Sequence, residues 1–354
     1  MRKLYRYALP FALESGECLH EIDIAYHTFG ALNSDKSNVV WVCHALTGSS
    51  DVLAWWPGLI GPGKLLDTEK YFIVCANVLG SPYGSTSPQS IDPETGKPYL
   101  LRFPLVTIRD IVNAHLLLAG HLEIEHIHLL IGGSLGGQQV LEWSIMQPER
   151  VEHAVVLAAN AVQSPWGIAF NESQRLALMA DCSFDGINPE GGTNGLCAAR
   201  SIAMLSYRTF DAYHHSQSDH DASKRTGFLA ASYQRYQGEK FTSRFDAYSY
   251  WSLINTLDTH NIGRGRDHIE RVLQSISTKV LVGSITSDLL FPHSEQRHLA
   301  AHIPGAQFIG IESLYGHDGF LMESEKLGKA LGNFLAGSEL EHTTMHALNA
   351  GTHV

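Results

Sequence analysis

The sequence predicts an α/β fold in which helices cover both faces of a mostly parallel sheet and a helical cap is inserted between two strands. Two patterns along the 354 residues lead to this prediction. Short apolar runs rich in β-branched residues alternate with segments of helical periodicity, as parallel strands joined by helices require. One long stretch in the second half of the chain interrupts this alternation and contains helical patterns and polar loops.

The strand prediction depends on six apolar runs. Several of them are apolar on both faces, as a sheet covered by helices on both sides requires. The predicted strands are 39–43, 71–76, 127–131, 154–158, 280–283 and 308–311. Helical periodicity predicts helices over 107–119, 137–146 and 324–335.

The interruption of the pattern divides the chain. Residues 1–163 and 277–340 are predicted to form the core, and residues 164–276 the helical cap. Ligands of parallel sheets bind outside the carboxyl ends of the strands, so we expect the cap to cover a site at that edge. Residues 341–354 have no clear periodicity and are predicted to be a loosely ordered tail.

The composition is that of a globular protein with an acidic balance. Hydrophobic residues make up 44% and charged residues 17% of the chain, and the formal net charge is −11. Nucleic acid needs a basic surface and is therefore excluded as the main partner. Pro10 and Glu14 interrupt the N-terminal segment where a signal peptide needs an apolar stretch, and no apolar run approaches the roughly 20 residues that span a bilayer. We expect a cytoplasmic protein without a membrane partner.

Cysteines and histidines indicate neither a disulfide framework nor a metal site. The five cysteines form no CxxC pair, and Cys43 and Cys75 lie inside apolar runs where buried thiols are expected. The twenty histidines are scattered, and none belongs to an HExxH motif. Zinc ligands are usually spaced so that they converge on one point. We therefore expect no metal and no bound cofactor.

The strongest motif is Gly132-Gly133-Ser134-Leu135-Gly136, a match to GxSxG. It follows an apolar strand and precedes a helical pattern, which is the strand-turn-helix context of a nucleophile elbow. Small neighbours let such a sharp turn close, and the serine hydroxyl then stands near a helix N-terminus that favours developing negative charge. A phosphate-binding loop would need GxxxxGK[ST], which is absent. The motif predicts an α/β-hydrolase fold with Ser134 as the nucleophile.

A serine nucleophile needs a base, and the base needs an orienting carboxylate. In this fold the chain order is Ser, then Asp or Glu, then His. Asp288 follows the late strand 280–283, and His317 follows the strand 308–311 and precedes the last helix. Each could be an ordinary turn residue, but their joint position and order favour a Ser134, Asp288 and His317 triad.

Two backbone N–H groups are expected to stabilise the oxyanion, the negatively charged oxygen that forms when the serine attacks a carbonyl group. One belongs to the residue after the nucleophile, Leu135. The other belongs to Leu46, in the early loop that directly follows the first predicted strand. Losing such a donor typically lowers turnover by about 10²–10³.

At this point the residues resemble a known family, the homoserine O-acetyltransferases. The resemblance runs from about residue 8 to residue 337. It is carried by HALTG at 44–48, the segment at 59–99 that contains NVLG and YGST, GGSLGGQQVLEW at 132–143, FNESQR at 170–175, SDLLFP at 287–292 and GHDGFL at 316–321. The family's pattern differs at Ser81 and Pro82, at Leu135 and in the segment after HALTG.

The resemblance implies an acyl-CoA-dependent transfer to L-homoserine by a ping-pong mechanism, in methionine biosynthesis. Acetyl-CoA or succinyl-CoA is the implied co-substrate, and no cofactor stays bound. The family holds the substrate carboxylate with an arginine and a tyrosine seven residues apart, which Arg200 and Tyr207 match. It holds the substrate ammonium with the aspartate beside the catalytic histidine, which is Asp318 here. A homodimer through the cap helices is also implied.

Alternatives remain open at this point. The donor could be acetyl-CoA or succinyl-CoA, and the acceptor homoserine or serine. A plain esterase or thioesterase could use the same triad, because a fold does not determine a function. A non-catalytic binding module would not need the intact triad. An amino-acid clamp of Arg200, Tyr207 and Asp318 is the feature that favours a transferase.

Overall fold

The computed structural model describes residues 1–338, and the tail predicted for 341–354 lies outside them. The strands of the described residues are β1 Lys3–Tyr7, β2 Phe11–Ala12, β3 Cys18–Leu19, β4 Ile22–Phe29, β5 Val39–Cys43, β6 Phe72–Ala76, β7 Ile91–Asp92, β8 Lys97–Pro98, β9 Ile127–Gly133, β10 Val151–Leu157, β11 Lys279–Ile285 and β12 Gln307–Ile311. All six predicted strands are present, with ends that differ from the prediction by a few residues.

The helices follow the strands in the predicted alternation. They are α1 Val52–Trp55, α2 Ile108–His121, α3 Leu135–Met146, α4 Pro165–Met179, α5 Thr193–Tyr207, α6 Phe210–Gln217, α7 Leu229–Thr242, α8 Ala247–Asp258, α9 Ile269–Gln274, α10 His293–His302, α11 Gly319–Met322 and α12 Ser324–Leu335. Helices α4 to α9 lie within residues 164–276. Within residues 1–338, no helix has both the length and the apolarity to cross a bilayer.

The main sheet has eight strands in the order β1-β4-β6-β5-β9-β10-β11-β12. The six strands β6, β5, β9, β10, β11 and β12 are parallel to one another. At one side of the sheet, β1 pairs with β4 and β4 pairs with β6, both in antiparallel fashion. The sequence analysis missed the two strands β1 and β4. Strand β1 reads KLYRY and is largely exposed, so it lacks the continuous apolar run that marks a buried parallel strand.

Apolar side chains fill both faces of the sheet. On one face, residues of α2 and α3 such as Ile111 and Trp143 pack against the sheet. On the other face, Leu327, Leu331 and Phe334 of α12 do so. Covering by helices on both faces explains why the central strands are buried throughout, as in the VVWVC run of β5. The predicted fold class is therefore confirmed, and Cys43 is buried as expected.

Candidate active site

Ser134 lies in the sharp turn between β9 and α3. Its backbone has φ 58° and ψ −127°, in the region of positive φ that L-residues rarely adopt, and its N–H donates to Leu157 O at 2.9 Å. Gly136 allows this turn because a Cβ at that position would lie 2.1 Å from Cys43 O. Likewise, a Cβ on Gly132 would lie 2.5 Å from the Gly136 backbone. The glycines are needed because β9, the turn and the end of β5 approach so closely, and the strain at Ser134 is typical of functional turns.

Asp288 and His317 lie in loops that follow adjacent strands, β11 and β12. The Nδ1 atom of His317 lies 2.7 Å from Oδ2 of Asp288, and both side chains are almost completely buried. The other carboxylate oxygen of Asp288 accepts backbone N–H bonds from Leu290 at 2.8 Å and Phe291 at 3.0 Å. The carboxylate is thus held in place on one side and orients the imidazole on the other.

Several groups set the protonation of His317. Burial alone would lower its pKa, but the charge and hydrogen bond of Asp288 and the charge of Asp318 together raise the pKa above its ordinary value. Aromatic rings surround the imidazole: Phe291 at 5.2 Å, Phe320 at 5.6 Å and Tyr207 at 5.8 Å between centroids. These contacts restrict the ring to one orientation.

Ser134 and His317 line the same cavity, which has a volume of about 240 Å³. Ser134 Oγ makes no hydrogen bond to a residue within 1–338, although catalytic hydrogen bonds are often long without substrate. The further lining residues are Ala45, Leu46, Thr47, Gly48, Trp55, Gln163, Asn171, Gln174, Arg200, Ser206, Tyr207, Arg244, Leu257, Leu290, Phe291, Asp318, Phe320 and Leu321. The cavity therefore combines residues from the sheet loops with residues from helices α4, α5 and α8.

The two residues predicted to supply oxyanion donors lie in the loop after β5 and directly after Ser134 in the chain. Leu46 lines the cavity, and Leu135 is the first residue of α3. Neither backbone N–H donates to another residue within 1–338, so both remain free for a ligand. The loop of Leu46 is held by His44, whose Nδ1 lies 2.8 Å from Ala45 O while its Nε2 accepts from Val78 N at 3.1 Å. Burial lowers the pKa of His44 to about 4, which keeps the ring neutral and able to accept this bond.

Arg200 and Tyr207 lie on α5 and both line the cavity. The Arg200 guanidinium lies over the Tyr207 ring at 5.2 Å and over the Phe241 ring at 4.9 Å. It makes no ion pair or hydrogen bond with the rest of residues 1–338, and its Nη1 atom is buried without a partner. A buried polar atom without a hydrogen-bond partner is costly, so the Nη1 atom of this half-buried side chain is available to an anion.

Asp318 also lines the cavity, beside His317, but it already has a cationic partner. Its Oδ2 lies 3.1 Å from Nη2 of Arg208, the residue that follows α5. The ion pair connects the loop of His317 to the end of α5. The sequence analysis did not find Arg208, because its position gives no signal of a partner 110 residues away.

Behind Asp288 lies a second carboxylate that the sequence analysis also missed. Glu295 on α10 accepts a hydrogen bond from Asn160 Nδ2 at 3.2 Å, and Asn160 Oδ1 accepts from Gln138 Nε2 at 3.0 Å. Burial, together with the nearby charge of Asp288, raises the pKa of Glu295 to about 7, although the Asn160 hydrogen bond opposes the shift. Glu295 therefore titrates near neutral pH next to the Asp288 and His317 pair.

The segment 80–86, where the sequence departs from the family pattern, does not line the cavity. It packs behind the Leu46 loop through Asn77, which donates to Tyr83 O at 2.9 Å and accepts from Ser50 N at 2.7 Å. Tyr83 also contacts Arg244, a cavity residue that donates to Thr47 O at 2.9 Å. Substitutions in this segment can thus affect the cavity through these contacts.

Comparisons with known proteins agree with this geometry. The family model described as the alpha/beta hydrolase fold matches residues 38–323. The chain is 48% identical over 323 residues to the homoserine O-acetyltransferase of Cyclobacterium marinum, covering 91% of this chain and 92% of that protein. The crystal structure of homoserine O-acetyltransferase from Staphylococcus aureus is similar with a TM-score of 0.78 and 31% identity, covering 98% of both chains.

A solved esterase, E22, has the same fold with a TM-score of 0.87, covering 95% of this chain and 99% of that chain. At 23% identity, this likeness concerns the fold alone. The relatives of higher identity cover nearly the whole chain and carry one name. The chain therefore belongs to the homoserine O-acetyltransferase family of the α/β-hydrolase fold.

Proposed function

We propose that this protein transfers an acetyl group from acetyl-CoA to the hydroxyl of L-homoserine, which forms O-acetyl-L-homoserine and free CoA. The observation that carries the proposal is the unpaired guanidinium of Arg200 in the cavity of Ser134 and His317. An esterase needs the triad alone, whereas an amino-acid acceptor needs a partner for its carboxylate. The names of the relatives support the same activity.

In the first half-reaction, Ser134 Oγ attacks the thioester carbonyl and its proton passes to His317. The carbon–sulfur bond breaks, and CoA leaves as the thiol with that proton. The product is an acyl ester on Ser134. Asp288 holds the imidazole in the tautomer that accepts the proton, as the 2.7 Å contact at Nδ1 supports.

In the second half-reaction, the homoserine oxygen attacks the Ser134 ester, and His317 takes the hydroxyl proton and returns it to Ser134. In both steps negative charge develops on the carbonyl oxygen. The proposed donors to this oxygen are the free N–H group of Leu46 and that of Leu135, which lies at the N-terminus of α3. Each such donor typically contributes about 10²–10³ in turnover.

Arg200 is the proposed partner of the acceptor carboxylate. A guanidinium binds a carboxylate in bidentate fashion, and stacking on Tyr207 and Phe241 fixes its plane. Asp318 is the proposed partner of the acceptor ammonium. The Asp318 carboxylate would then bind two cations, the Arg208 guanidinium and the substrate ammonium. We propose that the ion pair with Arg208 positions Asp318 for the ammonium and does not prevent its binding.

The division into a core of 1–163 and 277–340 and a cap of 164–276 remains a proposal. Helices α4, α5 and α8 of the proposed cap supply Asn171, Gln174, Arg200, Tyr207 and Leu257 to the cavity. A homodimer through these helices is also proposed. Exposed apolar side chains on α5 and α6, Leu205 at 55% and Phe210 at 78%, support it. A cytoplasmic role in methionine biosynthesis follows from the proposed activity.

The experiment that tests the activity measures free thiol released from acetyl-CoA or succinyl-CoA, with L-homoserine or L-serine as acceptor. We expect fast release with acetyl-CoA and homoserine together, and O-acetylhomoserine as the product by mass spectrometry. Thiol release that does not depend on the acceptor would indicate a thioesterase. Preference for succinyl-CoA or for serine would keep the mechanism but replace the substrate.

A further inference from the structure

Three potential metal ligands converge at the amino-terminal ends of β9 and β10. A ring nitrogen of His128, a ring nitrogen of His153 and a carboxylate oxygen of Glu152 all lie within 4.8 Å of one another. His128 precedes Ser134 by six residues, and a strand rises about 3.3 Å per residue, so the two lie roughly 20 Å apart. The cluster is therefore at the edge of the sheet opposite the cavity and is not part of the active site.

The register of the sheet brings these side chains together. Val151 pairs with Ile127 in parallel fashion, which sets Glu152 beside His128. The Nδ1 atom of His128 lies 2.9 Å from Glu152 Oε2. The Nδ1 atom of His153 lies 3.7 Å from Glu152 Oε1. All three residues belong to rigid strands and not to loops.

Neighbouring rings hold both imidazoles. Tyr71 stacks on His128 with centroids 5.8 Å apart, and Phe334 of α12 contacts the edge of His153 at 5.5 Å. Only histidines pair with the Glu152 carboxylate among residues 1–338. The Nδ1 atom of His153 lies 3.2 Å from His128 O, which leaves Nε2 as the ring nitrogen that can bind an ion.

We propose that His128, Glu152 and His153 form a binding site for a divalent metal ion of the Zn²⁺ type. Imidazole and carboxylate are preferred zinc ligands. Zinc distances of about 2.0–2.1 Å imply ligand atoms roughly 3.3 Å apart in a tetrahedral site, so small side-chain rotations bring the three into place. Water or His126, whose Nε2 lies 3.7 Å from Glu152, would fill the fourth position. A bound ion would connect β9 to β10 and so stabilise the sheet.

The test is a Zn²⁺ titration of the metal-free full chain by calorimetry, with competition against a chelator. We expect one tight equivalent per chain. His128→Ala and Glu152→Gln should each lower the affinity for this Zn²⁺ ion by at least ~10–100-fold. That is the loss typical when a residue that only supports a metal ligand is replaced. Zn²⁺ should raise the melting temperature of the original protein more than that of either variant. Acyl transfer without Zn²⁺ should be unchanged in both variants, which also shows that they fold.

The matched control is His298→Ala, which disrupts another close histidine pair, His298 and His302 on α10, with ring centroids 4.3 Å apart. We expect this variant to keep the tight equivalent. Lys279 pairs with His153 on the next strand and opposes a cation, so Lys279→Met should tighten binding a few-fold. The proposal is overturned if the original protein binds no tight equivalent. It is also overturned if His128→Ala and Glu152→Gln bind as the original does, or if His298→Ala loses the site.

Discussion

Arg200→Ala should separate the two half-reactions of the proposed transfer. The substitution removes a guanidinium that contacts two aromatic rings but makes no ion pair within residues 1–338. Because no carboxylate is left unpaired by the change, the fold loses only ring contacts, about 0.5–2 kcal/mol for each. Acylation of Ser134 by the CoA thioester does not involve Arg200 in this scheme and should be retained.

The expected size of the effect follows from one charge-assisted contact to the acceptor carboxylate. Such a contact contributes about 1.5–3 kcal/mol. This corresponds to about a 10- to 150-fold loss in kcat/KM for homoserine, since each 1.4 kcal/mol is a factor of ten. Arg200→Lys should recover part of the loss, because it restores the charge but not the planar bidentate geometry.

The assay follows the two steps separately. A burst of CoA release without acceptor reports acylation, and the decay of the acyl-enzyme after addition of homoserine reports deacylation. Arg200→Ala should show a normal burst, slow deacylation and a raised acceptor KM. The control is Arg235→Ala, an exposed arginine on α7 that does not line the cavity, which should behave as the original protein.

One result would refute this reasoning about the acceptor. If Arg200→Ala abolished the burst and left the homoserine KM unchanged, Arg200 would bind the CoA thioester instead. The proposed clamp for the amino acid would then lack its cation. The preference for a transferase over an esterase would have to come from another group, such as Asp318.

Three further predictions concern the triad and its surroundings. Ser134→Ala should abolish transfer without changing the melting temperature, and mass spectrometry of the original protein with acetyl-CoA should find the acyl adduct on Ser134; an adduct on a cysteine would exclude this role. Asp288→Asn should lower turnover by up to about 10⁴, because an amide cannot hold the imidazole tautomer, whereas near-normal turnover would require another triad member. Glu295, with its pKa raised to about 7, binds its proton more tightly in the folded state. The free energy of unfolding should therefore fall as pH rises from about 4.5 to about 7. Glu295→Gln should reduce this slope in denaturant titrations, and an unchanged slope would contradict the assignment.

Much of this site could be predicted from the sequence because its signals are local. The turn at Ser134 requires small residues at the positions of Gly132 and Gly136. Both lie within one five-residue motif, so the requirement is visible in the sequence. Asp288 and His317 could be assigned because each directly follows a strand in the chain order of the fold. The parallel strands could be recognised because burial on both faces leaves continuous apolar runs.

Strands β1 and β4 could not be recognised in this way, because exposed or antiparallel strands keep polar residues among the apolar ones. The same limit applies to side chains that act in pairs. Arg208 lies 110 positions from Asp318, and Glu295 meets Asn160 across 135 positions.

Residue types and local spacing thus determined the fold class and led to the proposed nucleophile and the proposed order of the triad. The tertiary structure decided which charges are paired, which are left unpaired as at Arg200, and which side chains converge as at Glu152. The physical reason is that a turn depends on the backbone freedom of neighbouring residues. The environment of a charge depends instead on sheet register and helix packing, which bring together residues far apart in the chain.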